Sequence, residues 1–271
     1  WSVRDGCLVG STVDHKVAAN TFLIWEGGEV ADFEFSCEFR LEGDNNSGVQ
    51  YRSRAVPGSE FGVAGYQADV HGNPDYLGML YEERGAGILC QHGCFVARDA
   101  AGGVRDLGGV ATPRPRDLTQ WHSLRIVARG SLVWHELDGE LVAVVQDDKA
   151  DVARAGILAL QVHAGPPMSV WWKNLTLRRL PREEIAALPP AIAALRKRDA
   201  QRVTAPKGAT PQWLWDASAS NDEELFFRRK FTLTAVPDRA TLRVTCDNHC
   251  RVFVNGERVL QSDNWETPVS A

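Results

Sequence analysis

Asn46-Ser-Gly-Val-Gln-Tyr-Arg-Ser-Arg54, Gly65-Tyr-Gln-Ala-Asp-Val70 and Gly78-Met-Leu-Tyr-Glu-Glu-Arg84 are three short segments whose polar side chains recur at every second position. A period of two belongs to a β-strand, in which successive side chains point to opposite faces. On that spacing Gln50 and Arg52 share a face of one strand, and Gln67, Asp69 and His71 share a face of the next. Tyr81 and Glu83 share a face of the third. A face turned to a core would be apolar, and a merely solvated face would be rich in Lys, Thr and Glu. An arginine, amides, a carboxylate, a histidine and a tyrosine together predict the floor of a binding cleft.

Working outward, β patterning continues on both sides of this stretch. Phe33, Phe35, Cys37, Phe39 and Leu41 alternate strictly, as in a half-buried antiparallel strand, and Gly43 to Gly48 is turn chemistry ahead of the next one. Further strands are predicted at Trp121–Arg129, Gly156–His163 and Ser169–Leu177. Ser131–Leu137 and Glu140–Val145 flank Asp138-Gly139, a pair suited to a type I′ hairpin turn. Many short strands divided by Gly, Pro and Asn turns predict an all-β domain, a jelly-roll β-sandwich over residues 1–180.

Pro181 ends that domain. Residues 181–208 are rich in Ala, Leu and charge and predict a helical linker that Pro189-Pro190 splits into two short pieces. Residues 209–271 resume β patterning around Trp213-Leu-Trp215, Phe226–Leu233 and the Asn255-Gly256 hairpin, and predict a partial, truncated second β-sandwich.

The 271 residues are 44% hydrophobic and carry a net charge of −5, which supports a buried core and argues against a nucleic-acid partner. No apolar run approaches the eighteen or so residues of a membrane span. The six cysteines, Cys7, Cys37, Cys90, Cys94, Cys246 and Cys250, form no CxxC pair. Cys90-Gln-His92-Gly-Cys94 and Cys246-Asp-Asn-His249-Cys250 gather thiols and imidazoles, but free thiols or a local disulfide fit them better than a metal site. The chain opens directly into strand patterning, so any leader is expected to precede Trp1.

Taken in order, Trp25-Glu26, Phe33, Asn46–Arg52, Gly65–Asp69, Gly78–Glu83, Trp121-His122, Leu160–His163 and Lys173-Asn174 resemble the 3-keto-disaccharide hydrolase domain family. The resemblance spans roughly Trp1 to Leu180 and implies a concanavalin A-like lectin/glucanase sandwich. Two departures stand out: a strand that usually precedes Trp1 is not in the sequence, and Ala86 stands where relatives carry Arg. The second unit resembles the start of a galactose-binding-like jelly roll through Trp213-Leu-Trp215, Phe227-Arg228, Cys246–Asn248 and Val254–Gly256. That pairing looks like secreted or periplasmic proteins of polysaccharide-degrading bacteria, with an oxidised disaccharide or glycoside as the partner.

The reaction that the resemblance implies is cleavage of a glycosidic bond in a sugar already oxidised at carbon 3. The ketone acidifies the carbon-2 proton, a base removes it, and the carbon-1 leaving group departs; water then adds. A base, an enolate-stabilising group and an acid are needed, without the fixed carboxylate pair of ordinary glycosidases. Asp69 is the expected base with His71 as the alternative, Arg52 the oxyanion stabiliser, and His163 the acid or second polariser. Tyr81 and Glu83 are expected to bind or protonate, Gln50, Gln67, His71 and Lys173 to hold hydroxyls, and Trp25 or Trp172 to stack on a sugar face. Asp69, His71 and His163 also make a loose triad for a divalent ion, but no ligand spacing demands one and no cofactor is expected.

Plainer readings stand beside these. Arg52 pairs with Glu83 across strands, Asp69 is an exposed charge or a turn partner of Asn73, and His163 is structural. Trp25, Trp171 and Trp172 are core residues and Glu82 is solvated. A non-catalytic carbohydrate-binding module is the competing function, since this fold is widely lectin-like. An endoglucanase of the laminarinase sort is weaker, because Gln67-Ala-Asp69-Val-His71-Gly offers one carboxylate where those enzymes align three.

Overall fold

The computed structural model describes residues 1–181, 188–204, 243–244, 250–262 and 269–270. The chain divides into two units, Trp1–Lys207 and Gly208–Ala271. The first contains β1 (Ser2–Arg4), β2 (Cys7–Ser11), β3 (Thr21–Ile24), β4 (Phe33–Gly43), β5 (Asn46–Ala55), β6 (Val63–His71), β7 (Leu80–Glu83) and β8 (Gly87–Cys90). It continues with β9 (Cys94–Arg98), β10 (Val104–Gly109), β11 (His122–Arg129), β12 (Leu132–Leu137), β13 (Glu140–Asp147), β14 (Ile157–Val162), β15 (Met168–Arg179) and helix α1 (Pro190–Thr204).

A nine-stranded sheet runs in the order β1-β2-β15-β4-β11-β12-β13-β9-β10 and a six-stranded sheet in the order β3-β14-β5-β6-β7-β8. Every pairing is antiparallel except β13 with β9. The two inner faces bury one core, because β4 turns Phe33, Phe35, Cys37, Phe39 and Leu41 inward against Val49, Tyr51, Tyr66, Ala68, Val70 and Leu80. This is the jelly-roll β-sandwich that the alternation predicts, with sheets held together by interdigitated apolar side chains. The Asp138-Gly139 turn has positive φ at both residues, 51° and 77°, as a type I′ hairpin requires.

Two polar links cross the core. Tyr51 Oη and His135 Nε2 lie 2.8 Å apart and His135 Nδ1 lies 2.8 Å from Gly78 O, so the buried imidazole joins the sheets. Burial pushes that ring down to about 4, well under the ordinary histidine value. Arg98 grips Asp147 and Glu82, and Tyr66 donates to Asp147. Glu82, expected to be solvated, is therefore half-buried in an ion pair with Arg98 at 2.7 Å.

Pro190 begins α1, where its missing N–H costs nothing. Ile192 and Leu195 are buried against Phe95, Val127, Trp134 and Val144 on the outer face of the nine-stranded sheet. The segment expected as a linker thus carries a helix that packs on the sandwich; the expected first helical piece lies outside the described residues. In the second unit β16 (Arg243–Val244) pairs with β19 (Val269–Ser270), and β17 (Cys250–Val254) pairs with β18 (Glu257–Ser262). Asn255 and Gly256 turn that hairpin with φ of 53° and 89°. The Trp213-Leu-Trp215 and Phe226–Leu233 strands expected there lie outside the described residues.

Candidate active site

Strand register places the polar residues in rows across the outer face of the six-stranded sheet. One row reads Ile24, Ala159, Gln50, Gln67, Tyr81 and Ile88, each directly opposite the next. The neighbouring row carries Phe22 opposite Gln161 and Gly48 opposite Asp69. Gly65 opposes Glu83 on one side of these rows, and Asn46 opposes His71 on the other. Alternation along β5, β6 and β7 therefore brings Gln50, Gln67, Asp69, His71, Tyr81 and Glu83 onto one surface.

Gly48 shapes the centre of that surface. A Cβ there would stand 2.7 Å from Gln67 Cδ and 2.8 Å from Ala68 O, so the missing side chain leaves the space that Gln67 occupies. Gln67 uses it to reach three partners. Its Oε1 accepts from Gln50 Nε2 at 2.8 Å, and its Nε2 donates to Asp69 Oδ1 and, at 3.4 Å, to Gln161 Oε1. Ser53 Oγ donates to Gln50 Oε1 at 2.7 Å. Donation runs one way, Ser53 to Gln50 to Gln67 to Asp69, and ends on the carboxyl, which has no hydrogen to give when ionised.

Asp69 is 5% exposed. Burial, opposed by the Gln67 hydrogen bond and reinforced by the nearby Glu83, pushes its carboxyl up from 3.8 to about 7. Its Oδ2 accepts no hydrogen bond from a described residue and is not sealed from solvent. The result is a carboxyl held by one oxygen, open at the other, and balanced between protonation states near neutral pH, the condition a general base requires.

The surrounding groups are coupled to it. Burial, then Glu83 and Asp69, raise the Tyr81 hydroxyl, so it stands as a neutral donor. Burial raises Glu83, with Arg84 and His163 partly offsetting the shift. Burial and then His163 lower His71. The backbone N–H of Asn73 donates to His71 Nδ1 at 2.9 Å, so the neutral ring carries its hydrogen on Nε2. His163 lies at the same end, its Nδ1 2.5 Å from Ala164 O.

Four expected site residues stand elsewhere. Arg52 leaves the face because the register slips between Tyr51 and Arg54, and Arg52 itself takes φ of +46°. This bulge sends Ser53 outward in its place, and the Arg52 side chain is 0% exposed. Its guanidinium donates to Gly130 O at 2.7 Å and Ala31 O at 3.0 Å and pairs with Asp32 at 3.1 Å. It is neither an oxyanion group nor a partner of Glu83. Lys173 belongs to β15 of the other sheet, where it pairs with Glu38 at 3.2 Å and lies 3.9 Å from the Trp121 ring centroid. Trp25 follows β3 and lies over Gly27 at the sandwich edge, with Arg179 5.8 Å from its centroid. Trp172 is fully buried in the core.

The alternation also passed over two participants. Ser53 was placed on the wrong face by strict period two, and only the irregular register turns it, still buried, toward Gln50. Gln161 was legible as the residue two before His163 on a predicted strand. Metal ligation finds little support in the geometry. Among the described residues no three His, Cys, Asp or Glu side chains converge, and one Asp69 oxygen and His71 Nδ1 are already committed. Cys90 and Cys94 are free thiols, and Cys90 Sγ donates to Cys94 O at 3.2 Å. His92 Nδ1 lies 2.6 Å from Leu77 O.

The chain is similar in structure to a Parabacteroides distasonis protein provisionally named a glycosyl hydrolase, at 18% identity and TM-score 0.45, covering 67% of this chain and 84% of that one. It is similar to the carbohydrate-binding module CBM66 of Bacillus subtilis at 16% identity and TM-score 0.41, covering 64% and 95%. It is also similar to a Bacillus subtilis protein with a galectin-like fold at 10% identity and TM-score 0.40, covering 64% and 88%. No curated protein matches the sequence. The profile of one domain family matches residues 1–178, the whole two-sheet sandwich and every residue of the polar face. The chain belongs to the 3-keto-alpha-glucoside-1,2-lyase-like domain family.

Proposed function

We propose that this domain cleaves the glycosidic bond of sugars oxidised at carbon 3, with Asp69 as the base. The observation that carries this reading is the buried Asp69 carboxyl, brought to about 7 and held by Gln67 through one oxygen. Asp69 Oδ2 takes the carbon-2 proton, and the electron pair passes into the carbon-3 carbonyl as an enolate. Collapse of the enolate restores the carbonyl, forms the carbon-1 to carbon-2 double bond and breaks the carbon-1 to oxygen bond. Glu83, raised by burial, supplies the leaving oxygen with its proton. Water then adds across the double bond: its hydroxyl goes to carbon 1 as its proton passes to Glu83, Asp69 returns its proton to carbon 2, and the 3-keto sugar is released. Tyr81 Oη–H and His71 Nε2–H are the donors for the enolate oxygen, in the role first expected of Arg52. Gln50, Gln67 and Gln161, all buried, hold Asp69 from beneath, and His163 borders the ring.

One observation favours a second reading. The partly exposed His71, Tyr81 and Glu83 around Asp69 form a set of donors and acceptors that suits hydroxyl recognition without turnover. Incubation with 3-keto-trehalose, 3-keto-lactose and unoxidised trehalose separates the two. Sugar release from the oxidised substrates alone is expected. Release from none of the three would overturn the catalytic reading and leave a carbohydrate-binding domain.

A further inference from the structure

Ser53 ends the hydrogen-bond chain that reaches Asp69, and it stands there only because β5 bulges. Room for it comes from Gly65 on the opposing strand, where a Cβ would stand 2.6 Å from Ser53 Cα and where φ of +141° suits glycine. Ser53 Oγ lies 2.7 Å from Gln50 Oε1, 3.0 Å from Tyr51 O and 3.4 Å from Tyr66 O. All three neighbours are acceptors, so the hydroxyl brings the one hydrogen, and the shortest contact takes it. Ser53, Gln50 and Gln67 are each no more than 2% exposed, so bulk water does not stand in for a missing partner.

A side-chain amide donates at one end and accepts at the other, so the two glutamines can be threaded in two senses. When Asp69 is ionised it only accepts, so Gln67 turns Nε2 toward it and Gln50 turns Nε2 toward Gln67. That sense leaves Gln50 Oε1 facing Ser53, and only a donor there satisfies it. The reversed sense requires a hydrogen on Asp69 Oδ1 for Gln67 Oε1, and therefore the neutral acid. It would end with Gln50 Nε2 beside the oxygens of Tyr51 and Tyr66, where no serine hydrogen is required. We infer that Ser53 is a positioning residue for the base proposed above, on which the inference rests. Its hydroxyl, acting through Gln50 and Gln67, fixes the chain in the sense that keeps Asp69 Oδ1 an acceptor. The proton taken from the substrate is thereby directed to Oδ2. The titratable groups around Asp69 are His71 on its own strand, Tyr81 and Glu83 on β7 and, beyond these, His163 after β14. Among the described residues, none of these four hydrogen-bonds to Ser53 or Gln50.

The test is a carbon-detected NMR titration of the Asp69 carboxyl, whose signal is identified by its loss in Asp69→Asn. It is run on wild type, Ser53→Ala, Gln50→Leu and the double variant. Losing the terminal hydrogen bond should raise the Asp69 midpoint by roughly half a unit to one unit in Ser53→Ala. In the Gln50→Leu background Ser53→Ala should add nothing, because the chain is already cut. An unmoved midpoint in Ser53→Ala, or a full further shift in the double variant, overturns the inference. Thermal melts identify any folding loss, and Ser53→Gly, which also removes the hydroxyl, repeats the test if the alanine variant does not fold. In kinetics the acid limb of kcat/KM toward 3-keto-trehalose should move by the same amount, with the plateau recovered at higher pH. A uniform fall at every pH without a shift would make Ser53 a packing residue and overturn its positioning role. If wild type turns over no oxidised substrate, the catalytic reading fails, and the NMR titration still decides whether Ser53 sets the sense of the chain.

Discussion

Replacing Asp69 by Asn is expected to weaken catalysis and strengthen the fold at once. The carboxyl moves from 3.8 when free to about 7 when buried. Between those values the native state binds more protons than the unfolded chain, so stability falls as pH rises through the window and the full cost is present above about pH 7. Three pH units at about 1.4 kcal/mol each set a ceiling of about 4 kcal/mol. The open Oδ2 lets water relieve part of that cost, and about 2 kcal/mol is the expected gain at pH 8. Asparagine stays neutral, and its Oδ1 accepts the Gln67 hydrogen bond that Asp69 accepts now. In a unit of this size the gain raises Tm by about 4–8 °C. The assay is thermal unfolding of wild type and variant at pH 4, 6 and 8, since the difference between them cancels every other titrating group. The gap should open with pH, from near zero at pH 4, while kcat/KM toward 3-keto-trehalose falls at least about 100-fold. A constant gap, or a variant less stable at pH 8, would refute a carboxyl buried at the cost of its charge.

Gln67→Leu removes the hydrogen bond that holds the Asp69 carboxylate down, so the acid limb of the kcat/KM profile should move to higher pH by roughly one unit. A parallel drop at all pH values would assign Gln67 to packing alone. Arg52→Ala leaves two backbone carbonyls and Asp32 without their guanidinium and should cost about 2–4 kcal/mol in denaturant unfolding. The pH profile of the folded variant should stay that of wild type, because Arg52 does not reach the face. His135 is held neutral, pushed down to about 4, so the unfolded chain binds more protons below pH 6.5. Wild type should therefore lose about 3 kcal/mol between pH 6.5 and 4 on its account, and His135→Gln should flatten that part of the stability curve.

Much of the molecule was legible before any coordinates. Phe33 to Leu41, the Asp138-Gly139 and Asn255-Gly256 turns, and the polar period of two over residues 46–84 are local signals, carried by side-chain alternation and turn geometry. Those signals place Gln50, Gln67, Asp69, His71, Tyr81 and Glu83 on one kind of face, and strand pairing puts them on the same face. The matched motifs carried the family.

Period two fails wherever one residue breaks the count, and it failed at Arg52. The slip after Tyr51 turned Arg52 to the rim and Ser53 to the face. Nothing in the local sequence marks the slip, because it is set by where Gly65, Ala31 and Gly130 lie. Lys173 was misplaced for a different reason. A strand's alternation says which residues share its face and nothing about which sheet it joins, and β15 joins the nine-stranded sheet. Residue pattern alone thus determined the sandwich, its turns and the polar face. Tertiary structure decided which strands share that face, that Gly48 makes room for Gln67, and that burial brings Asp69 to neutrality, because a carboxyl's proton affinity depends on neighbours far away in the chain.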